Sequence, residues 1–157
     1  MNIFKASEVL KIAVQIEKNG MAFYTEVKNK SKCFPVQELF DFLAKEEVRH
    51  EHTFRSLLEK TGDYEPVESY PGEYERYLEA IAGENVFTQS DAMKQIARKA
   101  VSDKEAIDLA IGFEKDSIIF FSELRKFVPA DDQGIVEKII GEEKGHLTKL
   151  LDLKKKV

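Results

Sequence analysis

The sequence predicts an all-α protein, an antiparallel four-helix bundle made of two helical hairpins that a long crossover joins. Apolar residues recur three and four apart, the helical period, over four long segments. Glycine and proline interrupt the chain rarely, with 8 and 4 copies in 157 residues. Short loops join the first segment to the second and the third to the fourth, as is typical of antiparallel neighbours. The length suits a single domain over residues 1–157.

The boundaries of the helices follow from capping signals. The four helices are predicted to begin near Ser7, Pro35, Ser102 and Asp131. Pro35 suits the first turn of a helix, and Gly62 suits the position after its end. The stretch 102-SDKE-105 matches a capping box, in which the serine and the glutamate satisfy free backbone N–H groups. The crossover covers about 61–101 and contains two short amphipathic patterns, near 73–82 and 89–101.

Composition and charge exclude several classes of partner. The formal net charge is −5, and no basic patch indicates nucleic-acid binding. No apolar run approaches the roughly 20 residues that a membrane-spanning helix needs. The single cysteine, Cys33, excludes an internal disulfide and a metal site built from cysteine pairs. The amino terminus already reads as an amphipathic helix, so we interpret it as mature sequence and expect a cytoplasmic protein.

The two predicted hairpins repeat one pattern. The stretch 16-IEKNGMAFYTEV-27 aligns with 113-FEKDSIIFFSEL-124, and 45-KEEVRH-50 aligns with 141-GEEKGH-146. Each hairpin therefore carries one glutamate on its first helix and a Glu-x-x-His motif on its second. The two glutamates are 30 residues apart in the first hairpin and 29 in the second. A match in residue type, order and spacing indicates that the motifs of both halves have the same function.

The helical period indicates which residues of the charged run 45-KEEVRHEH-52 face inward. The inward positions of the second helix fall at 36, 40, 43, 47, 50, 54 and 57. Glu47 and His50 lie on this stripe, three residues apart and therefore on one helix face. Glu46, Glu51 and His52 lie off it, so we assign them to the solvated face.

The same reasoning applies to the other three helices. Glu143 and His146 lie on the inward stripe of the fourth helix, whereas Glu142 does not. Glu17 and Glu114 lie among the inward apolar residues of the first and third helices. The predicted inward set is Glu17, Glu47, His50, Glu114, Glu143 and His146. The alternative is a set of four surface acids and two ordinary histidines.

Four carboxylates inside an apolar bundle need a neutralising partner, because an unpaired buried charge is very costly. No lysine or arginine lies on these stripes in the middle of the helices. Two divalent cations would balance four carboxylates, and two neutral imidazoles would complete the coordination. Tyr24 follows Glu17 by two turns, so it is either plain core or a hydroxyl that lies against a ligand carboxylate. Its counterpart in the second half is Phe121, so such a role would be one-sided.

These motifs resemble those of the ferritin-like di-iron carboxylate superfamily, and within it the rubrerythrin-type family. The resemblance depends on Glu17, 47-EVRH-50, Glu114 and 143-EKGH-146 and covers all four helices. It implies Glu47 and Glu143 as carboxylates that bridge two metals. It implies Glu17 and Glu114 as terminal ligands, with one histidine, His50 or His146, on each side.

Two features depart from rubrerythrins. The cysteine pairs of a rubredoxin module are absent from this chain, which has one cysteine. Rubrerythrins also carry an additional glutamate one turn after the ligand of the third helix, where this chain has Ser117. Because the rubredoxin module is absent, electrons would come from an external donor protein.

The resemblance implies a di-iron oxidoreductase that reduces peroxide or dioxygen. The alternatives are a ferroxidase or iron-handling protein with Fe(II) as substrate, and a non-catalytic metal-binding bundle. We expect two iron ions as cofactors, with manganese or zinc as alternatives. We also expect a homodimer that has no nucleic-acid or membrane partner.

Overall fold

The computed structural model describes residues 5–62 and 90–157, together with the single positions 76 and 80. The α-helices of the two long described ranges are α1 (Ala6–Lys30), α2 (Phe34–Thr61), α3 (Ser90–Lys99), α4 (Asp103–Leu124) and α5 (Gln133–Lys154). Two 3-10 helices, Arg125–Phe127 and Ala130–Asp132, connect α4 to α5. No helix in the described ranges is both long enough and apolar enough to cross a membrane.

The predicted boundaries agree with the structure to within about two residues. Ser102 caps α4: its hydroxyl accepts from the backbone N–H of Glu105 at 3.1 Å. The Glu105 carboxylate in turn accepts from the N–H of Val101 at 2.8 Å. Gly62 follows α2 with a φ of 59°, a conformation that favours glycine. α5 begins at Gln133 and not near Asp131, because the preceding residues form a 3-10 turn.

The helix expected near 89–101 in the crossover is α3. Of the pattern near 73–82, only positions 76 and 80 lie within the described residues, and both are helical. α3 packs on α1, outside the bundle of four long helices. Within that bundle α1 packs mainly on α2 and α4 on α5, which confirms the two predicted hairpins.

The apolar core has two parts, one at each end of the bundle. The first apolar cluster includes Phe23, Val27, Phe40, Leu43, Ile107 and Leu150, together with Met93 and Ala97 of α3. The second apolar cluster includes Leu10, Ala13, Phe54, Phe121, Leu124 and Val136. Each long helix contributes to both clusters. The residues between them on every helix are the predicted inward glutamates and histidines, which thus form a polar layer at mid-height of the bundle.

Candidate metal centre

The structure brings all six predicted residues together in one buried layer. They are Glu17, Glu47, His50, Glu114, Glu143 and His146, which we call the Glu–His cluster. Each of these six residues is at most 4% exposed to solvent. The cluster divides into two overlapping groups of four, and in each group one ligand atom per residue lies within 4.8 Å of the others. Glu47 and Glu143 belong to both groups.

Both histidines turn the same ring nitrogen toward the carboxylates. The Nδ1 atom of His50 lies 2.8 Å from Glu143 Oε1 and 3.7 Å from Glu17 Oε1. The Nδ1 atom of His146 lies 3.2 Å from Glu143 Oε2 and 3.7 Å from Glu114 Oε1. His50 therefore faces Glu17 and Glu143, and His146 faces Glu114 and Glu143. The Glu143 carboxylate lies between the two rings.

Several buried donor atoms of the cluster have no hydrogen-bond partner within the described residues. They are both carboxylate oxygens of Glu17 and Oε2 of Glu114. Oε1 of Glu143 and Nδ1 of His50 lie 2.8 Å apart, but without the geometry of a hydrogen bond. A buried polar group without a partner is costly, and such groups are rare in folded proteins. Convergent carboxylate oxygens and imidazole nitrogens, several of them without a hydrogen-bond partner, are suited to divalent iron, manganese or zinc. The residues present therefore fit two divalent cations.

Burial and mutual repulsion shift the pKa values of these carboxyl groups apart. Burial, and secondly the charge of Glu143, raises the pKa of Glu17 to about 8. The same two causes raise the pKa of Glu114 well above its ordinary value. Burial opposes ionisation of Glu143 as well, but its contacts with Glu114, His146 and His50 outweigh this and lower its pKa. Without a cation the cluster retains protons near neutral pH, and metal binding must release them.

Tyr24 is both a core residue and a partner of the cluster. It is 2% exposed, and its ring packs edge-on against Phe40. Its hydroxyl donates to Glu114 Oε1 at 2.5 Å. Burial, followed by the neighbouring Glu114 charge, raises the pKa of Tyr24 well above its ordinary value, so the phenol keeps its proton. The matching residue Phe121 packs against Phe54 in the second apolar cluster, so the hydrogen bond exists on one side only.

The assignment of Glu46 to the solvated face was wrong, and Glu142, which lies off the inward stripe, is not solvated either. Their side chains are only 22% and 25% exposed. Glu142 Oε2 lies 2.8 Å from Nε2 of His50, and Glu46 Oε2 lies 3.8 Å from Nε2 of His146. Each acid thus faces the outer nitrogen of the histidine on the opposite helix. A residue one position before an inward glutamate lies about 100° around the helix, at the shoulder where α2 and α5 meet.

Arg49 connects these two outer acids. Its Nη2 atom lies 2.6 Å from Glu46 Oε2 and 3.1 Å from Glu142 Oε2. The sequence offered one signal for this layer, since both motifs read Glu-Glu-x-x-His and not merely Glu-x-x-His.

Glu51 was also assigned to the solvated face, but its side chain is only 15% exposed, and it pairs with Arg55 of its own helix. Its charge is one of the causes that raise the pKa of Glu17. His52 is exposed, as expected.

A recess with a cavity volume of about 40 Å³ reaches the cluster at Glu47. It lies between α1 and α4 below α3, and its lining includes Gly20, Tyr24, Met93, Asp116 and Ser117. A Cβ atom at Gly20 would lie 3.2 Å from Glu47 Cγ. Glycine at this position therefore lets α1 approach the Glu47 side chain closely.

A four-helix bundle with a buried glutamate–histidine layer defines the class of ferritin-like metal-carboxylate proteins. The family model named Rubrerythrin matches residues 8–154, and the chain belongs to the rubrerythrin family. The chain is also similar to a crystal structure from Thermotoga maritima described as a ferritin-like diiron-carboxylate protein. That likeness has a TM-score of 0.76 at 31% identity and covers 99% of this chain and 97% of the other. No curated protein matches the sequence significantly.

Proposed function

We propose that this protein is a di-iron oxidoreductase that reduces peroxide or dioxygen with electrons from an external donor protein. The observation that carries the proposal is the Glu–His cluster, six buried residues whose oxygen and nitrogen atoms converge and leave several of these atoms without a hydrogen-bond partner. Membership of the rubrerythrin family supports the same conclusion.

The arrangement of the cluster suggests how the residues divide between two ions. Glu47 and Glu143 belong to both groups of four, which suits carboxylates shared by two metals. Glu17 and His50 complete one group, which we call the first half-site. Glu114 and His146 complete the other, the second half-site.

Two bound Fe(II) ions would supply one electron each and open coordination positions for the oxidant. Reduction of hydrogen peroxide consumes two electrons and two protons and yields two water molecules. The protein contributes surroundings that suit this reaction. The two apolar clusters cover the layer from both ends and exclude bulk water. The recess beside Gly20 has room for a molecule of about the size of water or peroxide.

Tyr24 holds a proton next to the cluster. Its hydroxyl donates to Glu114 Oε1, which fixes the orientation of that carboxylate. The sequence has one cysteine and so lacks the cysteine pairs of a rubredoxin-type iron site, and in this proposal a separate carrier protein returns the electrons.

Anaerobic loading with Fe(II), followed by excess hydrogen peroxide, tests the proposal. We expect two irons per chain, oxidation that is stoichiometric with peroxide by absorbance, and repeated turnover once a reductant is added. The double variant Glu47→Ala/Glu143→Ala should lose the metal. The matched control Glu59→Ala/Glu137→Ala removes two exposed acids from the same two helices outside the cluster and should keep it.

Two outcomes would contradict the proposal. Unchanged iron content in the Glu47→Ala/Glu143→Ala variant would show that the ligands lie elsewhere. Iron that binds with the expected stoichiometry but does not react with peroxide or dioxygen would eliminate the redox activity and leave a non-catalytic metal-binding bundle.

One observation favours a ferroxidase as the second candidate. Asp116 lines the recess together with Glu47, and partial burial raises the pKa of its carboxyl group. An acidic recess that leads to the ligands suits Fe(II) as a substrate. In air, a ferroxidase would oxidise many irons per chain without a reductant, and Asp116→Asn would slow this uptake. An oxidoreductase would stop after two.

A further inference from the structure

The two half-sites have the same ligand types but different outer partners. In the first half-site, Nε2 of His50 lies 2.8 Å from Glu142 Oε2, a hydrogen-bonding distance. In the second, Nε2 of His146 lies 3.8 Å from Glu46 Oε2, too far for a hydrogen bond. The Glu142 carboxylate is therefore placed to hold a proton of His50 on Nε2, so that Nδ1, which faces Glu143 and Glu17, would be the nitrogen that binds a metal. His146 has no such close partner in Glu46.

Arg49 accounts for the difference between the two outer acids. It donates hydrogen bonds to the Glu46 carboxylate from two nitrogens, Nη2 at 2.6 Å and Nε at 3.3 Å, and so holds this carboxylate against its own helix, α2. It touches Glu142 with one nitrogen only, at 3.1 Å. The residue that matches Arg49 in the second motif is Gly145, so no arginine of α5 draws Glu142 away from His50.

The terminal glutamates differ as well. Both oxygens of Glu17 lack a hydrogen-bond partner and are available to a cation. One oxygen of Glu114 already accepts the hydrogen bond from Tyr24, and only the other has no partner. Both differences favour tighter binding of a cation at the first half-site.

We propose that the two half-sites bind divalent cations in a fixed order, with the Glu17–His50 half-site first and the Glu114–His146 half-site second. Arg49 is the positioning residue that creates the inequality, because it withholds Glu46 from His146. The inference depends on the ligand set of the proposed function. Outer-shell partners of metal-bound histidines typically change metal affinity by about 10- to 100-fold, so we expect the two binding steps to differ by about this factor.

An anaerobic titration of the metal-free protein with Co(II) tests the order without any enzymatic activity. The visible absorption of bound cobalt and competition with a coloured chelator give the affinity of each step. We expect two separate steps in the wild-type protein. Glu142→Gln should weaken the first step by about tenfold or more, since it removes the charged partner of His50. Glu46→Gln should leave that first step unchanged.

Arg49→Gln provides the sharpest test. It releases Glu46, which can then accept from His146, so the second step should tighten and approach the first. Arg55→Gln is the matched control, because Arg55 lies on the same helix and pairs with Glu51, not with either of the acids that face the histidines. It removes the same charge from α2 and should leave the two steps apart.

A single binding step with two equal sites in the wild-type protein would overturn the inference while leaving the dinuclear centre intact. Equal effects of Arg49→Gln and Arg55→Gln would also overturn it, because they would reduce the role of Arg49 to its charge. Fewer than two cobalt ions per chain would instead refute the proposed function itself. Far-ultraviolet circular dichroism verifies that each variant is folded.

Discussion

Gly20→Ala should weaken metal binding without unfolding the bundle. The new Cβ atom would lie 3.2 Å from Glu47 Cγ and 3.3 Å from Cδ, a few tenths of an ångström closer than ordinary van der Waals contact. Without metal, the Glu47 side chain can turn aside and relieve this contact. With metal, Glu47 would be held as a shared ligand, so the strain appears only in the loaded protein.

The magnitude follows from the cost of overpacking. An added methyl group in a packed site costs about 1–3 kcal/mol, and each 1.4 kcal/mol is about a tenfold change in affinity. We therefore expect Gly20→Ala to bind divalent metal about 5- to 140-fold more weakly. In the metal-free protein, the exchange of glycine for alanine within a helix should add up to about 1 kcal/mol of stability.

Gly112→Ala is the matched control, because Gly112 is also helical and a Cβ atom there meets nothing within 4 Å. It should stabilise the metal-free protein by a similar amount and bind metal as the wild-type protein does. Urea unfolding in a chelator gives the stabilities, and competition with a coloured chelator gives the affinities. If Gly20→Ala and Gly112→Ala bind metal equally tightly, Glu47 does not occupy the position that we assign to it.

Three further predictions test separate parts of the structure. Tyr24→Phe leaves Glu114 Oε1 buried without its donor, so the free energy of unfolding in urea should fall by about 1–3 kcal/mol, and no change would mean that the hydrogen bond is dispensable. The pKa of Glu17 is about 8 in the folded protein against an ordinary 4.5, so the unfolded chain releases its proton first. Glu17 alone should therefore lower the stability of the metal-free protein by about 1.4 kcal/mol per pH unit between these values, and Glu114 and His50, whose pKa values are also raised, should add to the loss. Unfolding in a chelator at pH 5.5 and 7.5 checks this, and a rise with pH would reverse the sign we assign. Lys60→Ala removes the ion-pair partner of the buried Asp132, whose Oδ1 lies 2.5 Å from Lys60 Nζ. The free energy of unfolding in urea should fall by about 1–3 kcal/mol. No change would show that water replaces the lysine.

The apolar periodicity of the sequence was sufficient to predict the helices and to predict that the residues of the Glu–His cluster face inward. A residue such as Glu47 lies in the middle of an apolar stripe, so its direction depends only on its own helix. The repeat then paired it with Glu143, because both motifs keep the same spacing from an upstream glutamate. These are local properties of single helices, and the structure agrees with them.

The outer layer could not be predicted in this way. Glu46 and Glu142 lie at the shoulders of their helices, where burial depends on how closely α2 and α5 approach and in which register. Tyr24 and Glu114, 90 residues apart, meet only because α1 and α4 are neighbours in the bundle. Such contacts follow from the packing of whole helices, which the period of one helix does not determine.

The position of the polar layer, between two apolar clusters, gives the metal a mechanical role. The ligands come from α1, α2, α4 and α5 at one height, so a bound pair of ions would cross-link all four long helices at their midpoints. In a chain with one cysteine, no disulfide could make such a link. When the metal leaves, each long helix remains anchored at both ends and is weakest at its centre. Removal of the metal would then speed deuterium exchange most at the backbone amides near the cluster, and least at the helix ends.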